Sequence, residues 1–140
     1  MLDYDLTVLV VDDSSVMRRI IRAHLQGLGI TRVIEARDGR EALKIIGREK
    51  VGLVLSDWCM QVMHGIEVLK QIRANDATRD LPFIMITAEA QPHLMLEAVK
   101  AKVSEYVVKP FTREDLKKSI EKVFMLENRS ACCPPLFPPS

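Results

Sequence analysis

Five side chains stand where chemistry could be done: Asp12, Asp13, Asp57, Thr87 and Lys109. The first two are adjacent acids that follow an apolar run in "VLVVDDSSVMRRII". Carboxylates this close repel, and each raises the other's pKa unless a positive charge sits between them. A metal ion or a lysine would meet that need. Three carboxylates and one lysine suit a hard divalent cation such as Mg2+, which takes oxygen ligands, keeps several waters and is completed by phosphate. One carboxylate could instead attack phosphorus, with metal and lysine neutralising the phosphoryl oxygens. The bland alternative is that the acids cap helices, an account that serves Asp13 alone better than the whole set.

For these residues to meet, elements must carry them to one place. Residues 6–11 read as a strand with no polar face, covered on both sides as in a parallel sheet. Residues 33–36, 52–56, 83–86 and 106–108 read as further strands. Helical spacing links Val16, Met17, Ile20, Ile21, Leu25 and Leu28. It links Ala42, Leu43 and Ile46, then Ile66, Leu69 and Ile72, then Leu94, Met95, Ala98 and Val99, and finally Leu116, Ile120, Val123 and Phe124. Ser14 or Ser15, Asp38 and Thr112 are the expected N-caps, with Glu41 three residues after Asp38. Pro92 fits a first helical turn, and Gly27 or Gly29 fits a terminating one.

Five strands alternating with five helices predict a three-layer α/β fold with a parallel sheet. Ligands of such sheets bind beyond the C-terminal strand ends, near the point where strand order reverses. Asp12 and Asp13 follow the first strand, Asp57 the third, Thr87 the fourth and Lys109 the fifth, so all collect on one rim.

The chain of 140 residues is long enough to bury a core and fits one domain. Apolar residues at 48% and charged ones at 28% are a soluble, globular balance. A net charge of +1, with basic residues scattered among acids, gives no call for nucleic acid. No apolar run reaches membrane length, and the early acids of "MLDYDLTVLVVDD" are unlike a signal peptide, so the expected location is the cytoplasm. Cys59, Cys132 and Cys133 lack the number and spacing of a disulfide framework or zinc site. No glycine-rich phosphate loop follows any strand. Residues 1–127 form the expected domain, and the Pro-rich 128–140, "NRSACCPPLFPPS", an expected disordered tail. A docking peptide using Leu136 and Phe137 is the alternative for the tail.

The pieces "VDDSSVMRRII", "LVLSDW", "MITAEA" and "YVVKPF" resemble the receiver domain of bacterial two-component response regulators. The resemblance spans residues 7–124, and Trp58, "TAEA" and "EYVVKPF" make it closest to the stand-alone chemotaxis regulators of the CheY type. It implies a flavodoxin-like (βα)5 fold with strand order 2-1-3-4-5. By position, Asp57 resembles the phosphoacceptor. Asp12 and Asp13 resemble the Mg2+-holding acids, joined by Asp57 itself and the Cys59 carbonyl. Thr87 resembles the hydroxyl that turns toward the phosphoryl group, and Tyr106 the aromatic that moves inward with it. Lys109 resembles the phosphoryl-pairing lysine, followed by a cis bond to Pro110. Glu89 and the Cys59 side chain match positions that modulate the site.

The resemblance also implies partners: a histidine kinase of the CheA type, a flagellar motor switch protein and a phosphatase. A monomer is expected; Met95, Val99 and Tyr106 could form part of a dimer face on activation, or equally be core or heterologous contact residues, and neither nucleic acid nor membrane is an expected partner. Such a protein is a switch that contributes to its own phosphorylation and dephosphorylation rather than a conventional enzyme. The competing readings are a receiver in another phosphorelay, a phosphorylation-independent scaffold, and an aspartyl phosphatase. The last normally needs a carboxylate two residues past the nucleophile, where Cys59 stands.

The sequence departs from the family at four places. Gln61 replaces a usual proline, which predicts a looser loop. His64 replaces an aspartate, removing an expected cap for the third helix. Cys59 stands where asparagine is common, which predicts slower self-hydrolysis. Lys102 and Val103 replace a glycine and an alanine; if the backbone at Lys102 keeps a positive φ, the strain is of order 1 kcal/mol, the alternative being a loop of changed shape.

Overall fold

The computed structural model describes residues 6–60, 63–88 and 91–130, the side chains of 125–130 excepted. The elements run β1 (Thr7–Val11), α1 (Ser15–Gly27), β2 (Arg32–Ala36), α2 (Gly39–Arg48), β3 (Leu53–Asp57), α3 (Gly65–Ala74), β4 (Phe83–Thr87), α4 (Pro92–Lys100), β5 (Glu105–Val108) and α5 (Arg113–Ser130). Val8, Leu9, Val10 and Val11 are all fully buried, because successive strand side chains point to opposite faces and both faces are covered. Val8 and Val10 join a core with Ile21 and Leu25 of α1 and Leu116, Ile120 and Val123 of α5. Leu9 and Val11 join a second core with Ala42 and Ile45 of α2, Ile66, Leu69 and Ile72 of α3, and Ala98 of α4. The helices therefore form two layers around the sheet.

All strands are parallel, in the order β2-β1-β3-β4-β5. The chain leaves β1 to one side for β2, then crosses back to β3, so the strand order reverses between β1 and β3. This is the flavodoxin-like architecture expected. Among the described residues, no helix is long and apolar enough to cross a membrane.

Local chemistry explains most boundaries. Ser14 Oγ accepts from the Met17 amide at 3.2 Å, and Asp38 Oδ1 from the Glu41 amide at 2.9 Å. Thr112 and Asp115 cap α5 reciprocally: each side chain accepts from the other's amide, at 3.0 and 2.9 Å. Pro92 opens α4. Of the two candidate stop glycines, Gly29 is the one with positive φ, at 92°. Lys102 has φ 66°, so the left-handed turn after α4 persists without glycine, at a strain of about 1 kcal/mol.

The helical stripes are narrower than their spacing suggests. On α1, Ile21 and Leu25 are buried while Val16 and Ile20 are 63% and 41% exposed. On α4, Ala98 is buried while Met95 and Val99 face out. One sheet face covers only part of each apolar arc. Helix α5 continues through Ser130, taking in the first three residues of the expected tail. The rest of that tail lies outside the described residues, with Cys132, Cys133, Leu136 and Phe137, as do Gln61 and Glu89.

Candidate functional site

Parallel register delivers the acids to one rim. Val11 pairs with Ala36 on β2 and Ser56 on β3, so Asp12 leaves β1 beside the end of β3. The Asp12 amide donates to the Ala36 carbonyl at 3.1 Å, and its Oδ1 accepts from the Ser14 amide at 2.9 Å. Asp57 is the last residue of β3 rather than the first beyond it, and its Oδ1 accepts from the Trp58 amide at 3.0 Å. Thr87 likewise closes β4 and is buried. Its carbonyl accepts from the Lys109 amide at 2.8 Å, which ties the β5 exit to the β4 end. The Lys109–Pro110 bond is cis.

The positive charge demanded by the paired acids includes a lysine. Lys109 Nζ lies 3.4 Å from Asp12 Oδ2 and 3.3 Å from Asp57 Oδ1. All three side chains are largely shielded, with exposures of 17%, 2% and 11%, so their fields are weakly screened. Even so, Asp57 titrates above its ordinary value. Burial and then the Asp12 charge raise it, outweighing Lys109 and the Trp58 amide. One ammonium does not balance the cluster.

Asp13, exposed at the mouth, completes it. Asp12, Asp13 and Asp57 each offer a ligand oxygen, all within 4.8 Å of one another. An all-oxygen, partly solvent-open set with surplus negative charge fits Mg2+, which uses one or two carboxylates and retains waters. The exposed Cys59 thiol is not part of this group. Tyr106 is half-buried on β5 and meets Trp58 edge-on, with centroids 6.5 Å apart. His64 is an exposed N-cap of α3 without a side-chain cap bond, and Glu67 Oε1 covers its amide at 3.3 Å.

The family profile described as the response regulator receiver domain matches residues 8–121. The chain belongs to this receiver family. The receiver is 43% identical over 123 residues to "Chemotaxis protein CheY-3" of Vibrio cholerae, covering 88% of this chain and 95% of that one. It is 45% identical over 117 residues to "Chemotaxis protein CheY" of Pseudomonas aeruginosa, covering 84% and 94%. Among solved structures it resembles the chemotaxis regulator CheY4 of Vibrio cholerae, with 35% identity, TM-score 0.79 and coverage of 84% and 98%. It also resembles the response regulator TrrA of Thermotoga maritima, solved in complex with Mg2+-BeF, with 33% identity, TM-score 0.75 and coverage of 84% and 98%. This receiver is therefore of the CheY-like chemotaxis type.

Sequence reasoning missed residues that shape the receiver's rim without belonging to the acid set. Gly65 opens α3 against the end of β3: its amide donates to the Trp58 carbonyl at 2.9 Å. A Cβ there would collide with the Asp57 carbonyl oxygen and lie 2.9 Å from Met85 Sδ. Its only sequence signal was a glycine just before a helical stripe. Arg18 and Glu35 carried no signal in the sequence, yet Arg18 Nη1 reaches the Asp12 carbonyl at 2.6 Å.

Proposed function

We propose that this receiver is a phosphorylation-activated switch of a bacterial chemotaxis two-component system, acting in the cytoplasm. Asp57 accepts a phosphoryl group from a histidine kinase of the CheA type, and the altered surface engages a flagellar motor switch protein. The observation that carries the reading is Lys109 Nζ set between Asp12 and Asp57 beside a third carboxylate. A partly buried carboxylate with a raised pKa beside a cation that only partly offsets it is the environment of a functional group rather than a surface cap.

The chemistry follows from the placement. An Asp57 oxygen bonds to phosphorus as the P–N bond of the donor phosphohistidine breaks, its electron pair leaving with the imidazole nitrogen. Lys109 is already at Asp57 and needs only a small shift to pair with a phosphoryl oxygen. Asp12, Asp13 and Asp57, with the Cys59 carbonyl, would hold Mg2+, which when bound supplies neutralising charge for the phosphoryl oxygens. Thr87, at the end of β4, is the hydroxyl expected to donate to the phosphoryl group, and Tyr106 the aromatic expected to follow it inward. Cys59 and Glu89 are expected to modulate hydrolysis. The protein thereby contributes to both its own phosphorylation and its own dephosphorylation.

Trp58 makes the test direct, because it is buried next to both Asp57 and Tyr106. Its fluorescence is followed during titration with Mg2+ and then acetyl phosphate, with Asp57→Ala as control. The expected outcome is metal-dependent quenching, then a donor-dependent change absent in the control, with a phosphoryl adduct by mass spectrometry. The phosphorylated protein should bind an N-terminal peptide of a motor switch protein more tightly than the unmodified one. An adduct without that gain would move the output to another phosphorelay; no adduct would remove the switch reading altogether.

A further inference from the structure

The exposed carboxylate of Asp13 has no hydrogen bond or ion pair among the described residues, although it completes the acid cluster. Its aim must therefore come from its backbone. The peptide that joins Asp12 to Asp13 contains the Asp12 carbonyl, and that oxygen is gripped by Arg18 Nη1 at 2.6 Å. On the other side of Asp12, its amide is fixed to the Ala36 carbonyl of β2 at 3.1 Å.

The grip on the carbonyl is itself braced. Arg18 is 16% exposed, and its Nε donates to Glu35 Oε1 on β2 at 2.9 Å. The other Glu35 oxygen accepts from Arg22 Nε at 2.8 Å, and Arg22 Nη2 is anchored on the Val33 carbonyl at 3.0 Å. Burial alone would raise the Glu35 pKa, but hydrogen bonds from Arg22 and Arg18, with their charges, bring it below the ordinary value. A planar guanidinium places its donors on separate nitrogens in fixed directions, so it can span a carboxylate and a carbonyl that lie apart, whereas the three donors of a lysine all leave one nitrogen.

We propose that Arg18, braced by Glu35 and Arg22, is a positioning residue: it locks the Asp12–Asp13 peptide plane and so presets the Asp13 carboxylate for the divalent cation. The proposal rests on the Mg2+ reading above. It separates from a simple charge effect by sign. Removing a cation beside the acids would by Coulomb attraction alone tighten Mg2+ binding. Losing the peptide lock weakens it, because the ion must then order a backbone unit itself, an entropy worth about five- to thirtyfold in affinity.

Mg2+ affinity is measured by Trp58 fluorescence for wild type, Arg18→Met, Arg18→Lys and Arg22→Met. Arg18→Met should bind about five- to thirtyfold more weakly, the order expected for releasing one peptide unit. Arg18→Lys should recover only part of the loss. Arg22→Met removes only the outer contact on Glu35 and leaves the Arg18–Glu35 and Arg18–Asp12 bonds in place, so it should lower thermal stability yet stay within about twofold of wild-type affinity by the same ordering argument. Unchanged or tighter binding by folded Arg18→Met, or full recovery by Arg18→Lys, would overturn the proposal.

The metal-free proteins give a second readout. NMR order parameters of the Asp13 and Ser14 amides should fall in Arg18→Met and hold in Arg22→Met; equal values in all variants would also overturn it. If Arg18→Met does not fold, Glu35→Gln, which weakens the brace but keeps its shape, should lower the same order parameters, and wild-type values there would refute the lock. Failure of wild type to bind Mg2+ would sink the metal reading, while the metal-free order parameters would still decide the role of Arg18.

Discussion

Burial and the neighbouring Asp12 charge both disfavour ionised Asp57, and Lys109 offsets only part of that. The sign of the consequence is fixed by linkage. A carboxyl whose pKa is raised on folding binds more protons folded than unfolded, so stability falls as pH rises from the unfolded pKa through the folded one. Metal-free Asp57→Asn should therefore melt several degrees above wild type at neutral pH. The gain should shrink toward zero below about pH 4, where the unfolded carboxyl is itself protonated. Calorimetry across this range checks it; a gain independent of pH would remove the electrostatic cause. Mg2+ should narrow the neutral-pH difference, because it stabilises the aspartate form only.

Among the elements, α3 is the one whose entry bears on the site. It begins at Gly65, pressed onto the carbonyl of the last residue of β3. Backbone cannot yield as a flexible side chain can, so Gly65→Ala must push α3 away from Asp57 or bend the end of β3. The expected cost is about 1–3 kcal/mol, the range for overpacking, together with an altered Trp58 response to Mg2+. Urea unfolding and the metal titration measure the two effects. A stability change with an unaltered metal response would show that the helix moves and the strand ending in Asp57 does not. The His64 substitution is milder in kind: the cap bond is missing, yet Glu67 still covers the His64 amide.

For the molecule as a whole, the acid cluster is a concentration of like charge that the proposed cation would relieve. The carboxylates come from the ends of β1 and β3, strands brought together only by folding, so the unfolded chain holds no comparable site. An ion that binds only the folded state stabilises it by about 2.7 kcal/mol at a hundredfold excess over its dissociation constant. Melting temperature should thus rise with Mg2+ and saturate, at constant ionic strength. Asp13→Asn should lose most of that rise while keeping the metal-free transition. A rise reproduced by Na+ alone would reduce the effect to screening.

Much of this was legible in the chain because it is local. Apolar runs of strand length, helical spacing and caps such as Asp38 and Thr112 fixed the alternation of elements, and parallel topology then put every strand-terminal residue on one rim. Asp12, Asp13, Asp57, Thr87 and Lys109 could be picked out for that reason. Tertiary structure alone decided the rest. Which apolar residues of α1 and α4 are covered depends on how each helix lies on the sheet, so Val16, Ile20, Met95 and Val99 face out despite perfect spacing. The closeness of Gly65 to the Asp57 carbonyl depends on the path of a loop. The grip of Arg18 on the Asp12 carbonyl, with Glu35 seventeen residues away as its brace, depends on β2 lying beside β1. Backbone carbonyls carry no signature in sequence, so a side chain whose partner is a peptide group becomes visible only once the chain is folded.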